Sequence, residues 1–179
     1  MFLSNRTDDT RKLLVSQLAN VITLMNLSLG CLAIIFVLKG SLNLSLLMIF
    51  LAALLDWSDG KVARNLNITS DFGKQLDSLS DLISFGVAPA ILLYESVLNN
   101  YHSAGIGLTV IYLLTGAIRL ARYNITTYSG SFQGLPITAA GCILAFSYTW
   151  IPFVPSFIFL FLILLLSILM ISSVKVKKI

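Results

Sequence analysis

Long uncharged stretches separated by short charged ones dominate the chain. Lys12 and Lys39 bracket 26 uncharged residues, Lys39 and Asp56 bracket 16, Asp81 and Glu95 bracket 13, and Glu95 and Arg119 bracket 23. A further 52 residues without charge separate Arg122 from Lys175. One membrane-crossing helix needs about 20 apolar residues, so that last stretch is long enough for two helices and a turn. Pro152 and Pro155 supply the break, beside Trp150 as an interfacial anchor. The pattern predicts six helices, roughly 18–38, 41–65, 73–97, 103–123, 134–151 and 155–174. The runs before Asp56 and after Asp81 reach spanning length only if their helices continue into the acidic segment between them. That requirement places carboxylates inside or at the edge of a membrane.

Composition turns this pattern into a class. Of 179 residues, 57% are hydrophobic and 11% charged, against about 25% charged in an ordinary soluble domain. A water-facing surface is excluded by the shortage of charge, and disorder by the abundance of Leu, Ile, Val and Phe. The expectation is an all-α integral membrane protein with six transmembrane helices. Six spans put both termini on one side, together with Arg6, Arg11, Lys12, Lys61, Arg64, Lys74, Arg119, Arg122, Lys175, Lys177 and Lys178; Lys39 alone lies opposite. Basic residues mark the cytoplasmic side, so both termini are expected there. Residues 1–17 are expected to form a short interfacial helix, residues 18–174 the membrane domain, and residues 175–179 a basic cytoplasmic tail. The apolar stretch after Lys12 is too long for a cleaved signal peptide. No internal repeat is evident, which disfavours a transporter built of two similar halves. The net charge of +4 suits an anionic lipid surface and gives no reason to invoke nucleic acid.

Five of the eight acidic residues fall within 26 positions: Asp56, Asp59, Asp71, Asp77 and Asp81. On helices, Asp56 and Asp59 lie about 60° apart and Asp77 and Asp81 about 40° apart. Two antiparallel neighbours would therefore each present a pair of carboxylates near their cytoplasmic ends. An Asp in mid-membrane costs roughly 2.5–3.5 kcal/mol on insertion scales, and Lys61, Arg64 and Lys74 are too few to pair them all. A divalent-cation site of hard oxygen ligands, for Mg²⁺ or Mn²⁺, accounts for the cluster, and four carboxylates allow one or two ions. Gly60, Ala63 and Gly73 add room for a ligand or a helix to approach, and Lys61 and Arg64 are candidates for pairing with phosphate. Cys31 and Cys142 read as packing residues. His102, the only histidine, falls in a loop on the far side, so cytoplasmic chemistry must find another base.

The segment Asp56-Trp-Ser-Asp59-Gly60-Lys-Val-Ala63-Arg64, followed by Gly73-Lys-Gln-Leu-Asp77-Ser-Leu-Ser-Asp81, resembles the signature of the CDP-alcohol phosphatidyltransferase family. That signature is D-x2-D-G-x2-A-R, a spacer of eight, then G-x3-D-x3-D, and all eight positions are filled. The resemblance implies transfer of a phosphatidyl group from CDP-diacylglycerol to an alcohol, with release of CMP and with Mg²⁺ or Mn²⁺ as cofactor. Carried over, Asp56, Asp59 and Asp77 would ligate metal at the diphosphate. Asp81 would complete the metal site, act as general base for the acceptor hydroxyl, or do both. Gly60, Ala63 and Arg64 would contact the nucleotide and diphosphate, with Gly73 allowing close approach.

The flanking residues narrow the acceptor. Asp77-Ser-Leu-Ser-Asp81-Leu-Ile-Ser-Phe-Gly86-Val-Ala-Pro89, Arg119-Leu-Ala-Arg122-Tyr-Asn124, Gly134-Leu-Pro136 and Asn20-Val-Ile-Thr23-Leu-Met-Asn26 are similar to the phosphatidylserine synthase branch. The Pro and Lys of the glycerophosphate-accepting branch and the Arg of the inositol-phosphate branch are missing. Ala19 stands where Pro commonly precedes the Asn. The branch implies L-serine as acceptor. Arg119 and Arg122 could hold the serine carboxylate or the lipid diphosphate, Asn124 could add a hydrogen bond, and Asn20 and Thr23 could reach the cytidine or ribose. Ser78 and Ser84 read as packing or supporting residues. Another acceptor, such as glycerol 3-phosphate or inositol phosphate, or an archaeal CDP-lipid donor, is the nearest alternative. A small divalent-cation transporter is the distant one, disfavoured because the acids crowd near one face. The family also implies a homodimer among membrane lipids, with the active site facing the cytoplasm, at the inner membrane in a bacterium.

Overall fold

The computed structural model describes the backbone of residues 2–66, 71–125, 132–172 and 175–176, and the side chains of residues 17–58, 71–125 and 134–172. Helices account for nearly all of it. They are α1 (Phe2–Leu38), α2 (Leu42–Leu66), α3 (Asp71–Asp81), α4 (Ala88–Ser96), α5 (His102–Ile125), α6 (Ile137–Ser147) and α7 (Phe157–Ile171). A π-helical turn, Leu82–Val87, joins α3 to α4, so residues 71–96 run as one helical segment. Short 3-10 turns occupy Leu98–Tyr101 and Tyr148–Trp150. Two two-residue strands, β1 (Phe132–Gln133) and β2 (Lys175–Val176), pair antiparallel and bring the C-terminal tail beside the segment before α6.

Among the described residues, three segments are long and apolar enough to cross a membrane: Gln17–Leu38, Asp71–Ser96 and Leu98–Ile125. Leu42–Ser58, Ile137–Trp150 and Phe157–Ile171 are shorter apolar helices. The outer surface carries Leu18, Val21, Met25, Leu54, Ile106, Leu114, Phe153, Phe161 and Ile168 well exposed. A surface of this kind is stable against hydrocarbon and not against water.

Several predicted ends move for identifiable reasons. Residues 2–38 form one helix, where a separate short helix was expected ahead of the first span. The α1–α2 turn closes as expected for a glycine stop: Gly40 N–H donates to Val37 O, Ser41 N–H donates to Phe36 O, and Gly40 adopts φ +74°. The fifth helix starts at Ile137 instead of 134. Gly134 takes a left-handed φ of +78°, and a Cβ there would run into the carbonyl oxygens of Met170 and Ser172. Leu135 N–H then donates to Leu169 O at 3.0 Å, so this segment caps the end of α7 before Pro136 starts α6.

Inward faces follow helical spacing. On α1 the buried stripe is Thr23, Asn26, Gly30, Ala33 and Val37, mostly small or polar. The 71–96 segment is the hub against which α1, α2, α5 and α6 pack, while α7 packs on α5 and α6. Ser80 Oγ donates to Thr23 O and Ser84 Oγ to Asn26 O, each at 3.1 Å, which docks the segment on α1. Gly30 permits this, since a Cβ there would strike the Ser84 side chain and lie 2.8 Å from its Cα. Pro89 has no N–H for the carbonyl four residues back, at Phe85. Tyr112 Oη on α5, fully buried, donates to that carbonyl at 3.1 Å instead. Gly141 brings α6 against the same residue. The π turn just beyond Asp81 is thus held by α1, α5 and α6 together.

Candidate active site

Four helices converge on one cavity of about 640 Å³. Helix α2 contributes Ala53, Asp56 and Trp57; α3 contributes Asp77, Ser78 and Asp81; α5 contributes Arg119, Leu120 and Tyr123. Pro136, Ile137, Thr138, Ala139 and Cys142 come from the beginning of α6. The spacing explains the sets. Residues 53, 56 and 57, residues 77, 78 and 81, and residues 119, 120 and 123 each fall within one turn on one side of a helix. The first-turn N–H groups of α6 have no acceptor within their own helix, so they make this wall of the cavity favourable to an anion.

Carboxylate oxygens of Asp56, Asp77 and Asp81 all lie within 4.8 Å of one another. Two carboxylates about 4 Å apart repel by roughly 4 kcal/mol at an effective dielectric of 20. Arg119 in the same cavity offsets part of this repulsion, and a bound cation would relieve more of it. Oxygens around Mg²⁺, with bonds of about 2.1 Å, lie about 3.0 Å apart when adjacent and about 4.2 Å when opposite. The observed spread of the three carboxylates is close to that span, and an all-oxygen donor set suits a hard divalent ion. Lys74, expected as a local partner for the acids, is turned elsewhere. Its Nζ donates to Asn124 O at 3.0 Å and lies 5.6 Å from the Tyr123 ring centroid, where it complements the C-terminal end of α5.

Arg119 lines the same cavity as the acids, on the opposing helix. Its Nε is buried and has no hydrogen-bond partner among the described residues. A buried guanidinium N–H left in that state is costly, and an anionic ligand in the cavity would satisfy it. Arg122, one turn along from Arg119, is exposed and is not among the residues lining the cavity.

Other expected site residues are not among those lining the cavity. Asn124 directs its side chain to α3: Nδ2 donates to Ser78 Oγ at 2.9 Å and to Gln75 Oε1 at 3.2 Å. Thr23 Oγ1 donates to Ala19 O in its own helix, and Asn20 is half-buried on α1; neither lines the cavity. Gly73 opens α3, half-buried, and is not a lining residue. Asp59, Gly60, Ala63 and Arg64 belong to the helical backbone of α2, but their side-chain positions lie outside the described residues. Trp57, Tyr123, Thr138 and Cys142 join the cavity without having been singled out as site residues. The signal for the first two was adjacency: Trp57 follows Asp56, and Tyr123 is one turn beyond Arg119. Cys142, expected as packing, is half-buried and faces the cavity.

The family model for CDP-alcohol phosphatidyltransferase matches residues 16–174. The chain is 38% identical over 166 residues to an archaetidylserine synthase of Methanothermobacter thermautotrophicus, covering 90% of this chain and 70% of that protein. It is 36% identical over 165 residues to a CDP-diacylglycerol–serine O-phosphatidyltransferase of Helicobacter pylori, covering 87% and 70%. To the protein of that name in Bacillus subtilis it is 40% identical over 134 residues, covering 74% and 76%.

Proposed function

The chain belongs to the CDP-alcohol phosphatidyltransferase family, and from that premise we propose that it transfers the phosphatidyl group of CDP-diacylglycerol to the hydroxyl of L-serine, giving phosphatidylserine and CMP. The observation that carries the reading is the meeting of Asp56, Asp77 and Asp81 in one cavity with Arg119. Serine phosphatidyltransferases among the relatives support the acceptor. An archaetidylserine synthase among them makes an archaeal CDP-lipid donor the second reading.

Asp56, Asp77 and Asp81 would hold Mg²⁺ or Mn²⁺, joined by Asp59 one turn along α2. Bound there, the metal would supply neutralisation of charge on the diphosphate and on departing CMP. Arg119 and the first turn of α6 offer donors for the diphosphate or for the serine carboxylate. Arg122, exposed at the same helix end, would act on headgroups or on an approaching substrate. Gly60, Ala63, Arg64 and Gly73 would serve the nucleotide and diphosphate as the signature implies, with Asn20 and Thr23 further along α1. Asp81 takes the proton of the serine hydroxyl as its oxygen bonds to the phosphatidyl phosphorus. The bond from that phosphorus to the CMP oxygen breaks in the same displacement, which inverts configuration at phosphorus.

The charge distribution supports six spans, with both termini and the active site on the cytoplasmic side. That topology gives an interfacial segment 1–17, a membrane domain 18–174 and a basic tail 175–179. The family is the ground for a homodimer. Spin resonance of Mn²⁺ added to the purified protein tests the site: wild type should bind the ion, and Asp56→Asn and Asp77→Asn should weaken binding at least tenfold. Equal Mn²⁺ binding by all three would contradict the assignment.

A further inference from the structure

We propose that Asn124 is a positioning residue, which with Ser78 clasps the cavity-lining end of α5 to the acid-bearing turn of α3. The inference rests on the phosphatidyl transfer proposed above. Asn124 stands in the last turn of α5, where helix carbonyls lack partners within the helix. Lys74 Nζ takes its carbonyl at 3.0 Å. The side-chain amide has two N–H bonds to give, and both are given inside the protein, to Ser78 Oγ at 2.9 Å and to Gln75 Oε1 at 3.2 Å. No amide donor is left for a substrate. Ser78 Oγ has the carbonyl of Lys74 at 3.1 Å and Asn124 Oδ1 at 3.2 Å as acceptors for its own proton. Lys74, Gln75 and Ser78 thus reach one residue from a single turn of α3.

Position gives the clasp its consequence. Ser78 is 8% exposed, lines the cavity and lies between Asp77 and Asp81 in sequence. Arg119 and Tyr123, the polar residues of α5 that line the cavity, stand five and one residues before Asn124. Arg119 and the aspartates are carried by different helices, so the clasp sets how far apart they sit. Displacement of reacting groups by about 1 Å costs on the order of 100-fold in rate. Asn124 acts through Arg119 and Asp81 and does not touch the acceptor.

The test compares the full-length wild type, Ser78→Ala, Asn124→Ala and the double variant. CMP release is followed at saturating CDP-diacylglycerol and Mg²⁺ while serine is varied. Each single variant should lose about tenfold or more in kcat, with the serine KM changed less than about threefold. The double variant should be no slower than the slower single one, because both remove the same connection. A raised serine KM with unchanged kcat in Asn124→Ala, beside a normal Ser78→Ala, would overturn the proposal in favour of direct acceptor binding. Multiplying losses would also overturn it. Amide hydrogen exchange judges the clasp without any activity: residues 119–125 should exchange faster in both single variants, and unchanged exchange refutes it. Wild-type protein that shows the clasp by exchange but releases no CMP with serine would count against the functional reading alone.

Discussion

Replacing Gly141 by alanine tests how tightly the π turn beyond Asp81 is held. A Cβ at Gly141 would lie 2.8 Å from both Cα and Cβ of Phe85 and nearer still to its carbonyl oxygen, whereas ordinary contact begins near 3.4 Å. Helix α6 and the hub segment would have to part by more than half an ångström. Phe85 has little freedom to yield, because it is fully buried and its carbonyl accepts the Tyr112 hydroxyl. Overpacking of this kind costs about 1–3 kcal/mol, and weakening the Tyr112 bond adds about 0.5–1.5 kcal/mol. Alanine returns about 1 kcal/mol through helix propensity. The net loss is about 2 kcal/mol, or a melting point lower by about 4–8 °C for a chain of this size, read by thermal unfolding in detergent. Gly107→Ala is the internal control: nothing lies within 4 Å of its Cβ position, so it should be neutral or gain up to about 1 kcal/mol. A Gly141→Ala protein that melts at or above the wild type would refute the packing argument.

Tyr112→Phe should cost about 0.5–1.5 kcal/mol in the same unfolding assay, because it leaves the Phe85 carbonyl without the donor that Pro89 cannot supply; unchanged stability would show that the bond is not needed. Asp81→Asn should lose at least 100-fold in turnover while keeping most of its affinity for CDP-diacylglycerol, whereas Asp56→Asn should weaken metal and CDP-lipid binding together. Binding assays that find the two variants indistinguishable would contradict the division of roles.

The helices were legible in the sequence because the chain keeps its few charges at their ends. The four uncharged gaps from Lys12 to Lys39, Lys39 to Asp56, Asp81 to Glu95 and Glu95 to Arg119 mark four helical stretches, and Pro152 with Pro155 marks a break. Of the four acids expected to converge, Asp56, Asp77 and Asp81 come together, with i, i+4 spacing holding the last two on one face, and the side chain of Asp59 lies outside the described residues. Contacts between helices were not legible. The π turn depends on Tyr112, Gly141 and Ser84 from separate parts of the chain meeting there. Lys74 read as a partner for the acids, and its turn toward Asn124 depends on where α5 ends. The hydrogen bonds of Asn124 to Ser78 and Gln75 were hidden for the same reason: those partners lie 46 and 49 residues away in sequence. Gly134 and Pro136 shifted the start of α6 through a contact with the end of α7 that no local pattern encodes.

Purified wild-type protein given CDP-diacylglycerol, Mg²⁺ or Mn²⁺, and isotope-labelled serine provides the most direct test of the central claim. CMP release and label in phosphatidylserine should rise together, mole for mole, and fall together when the metal is chelated. Glycerol 3-phosphate or inositol phosphate in place of serine should release little CMP. Release that proceeds equally well without serine, or with either of those alcohols in its place, would contradict the account.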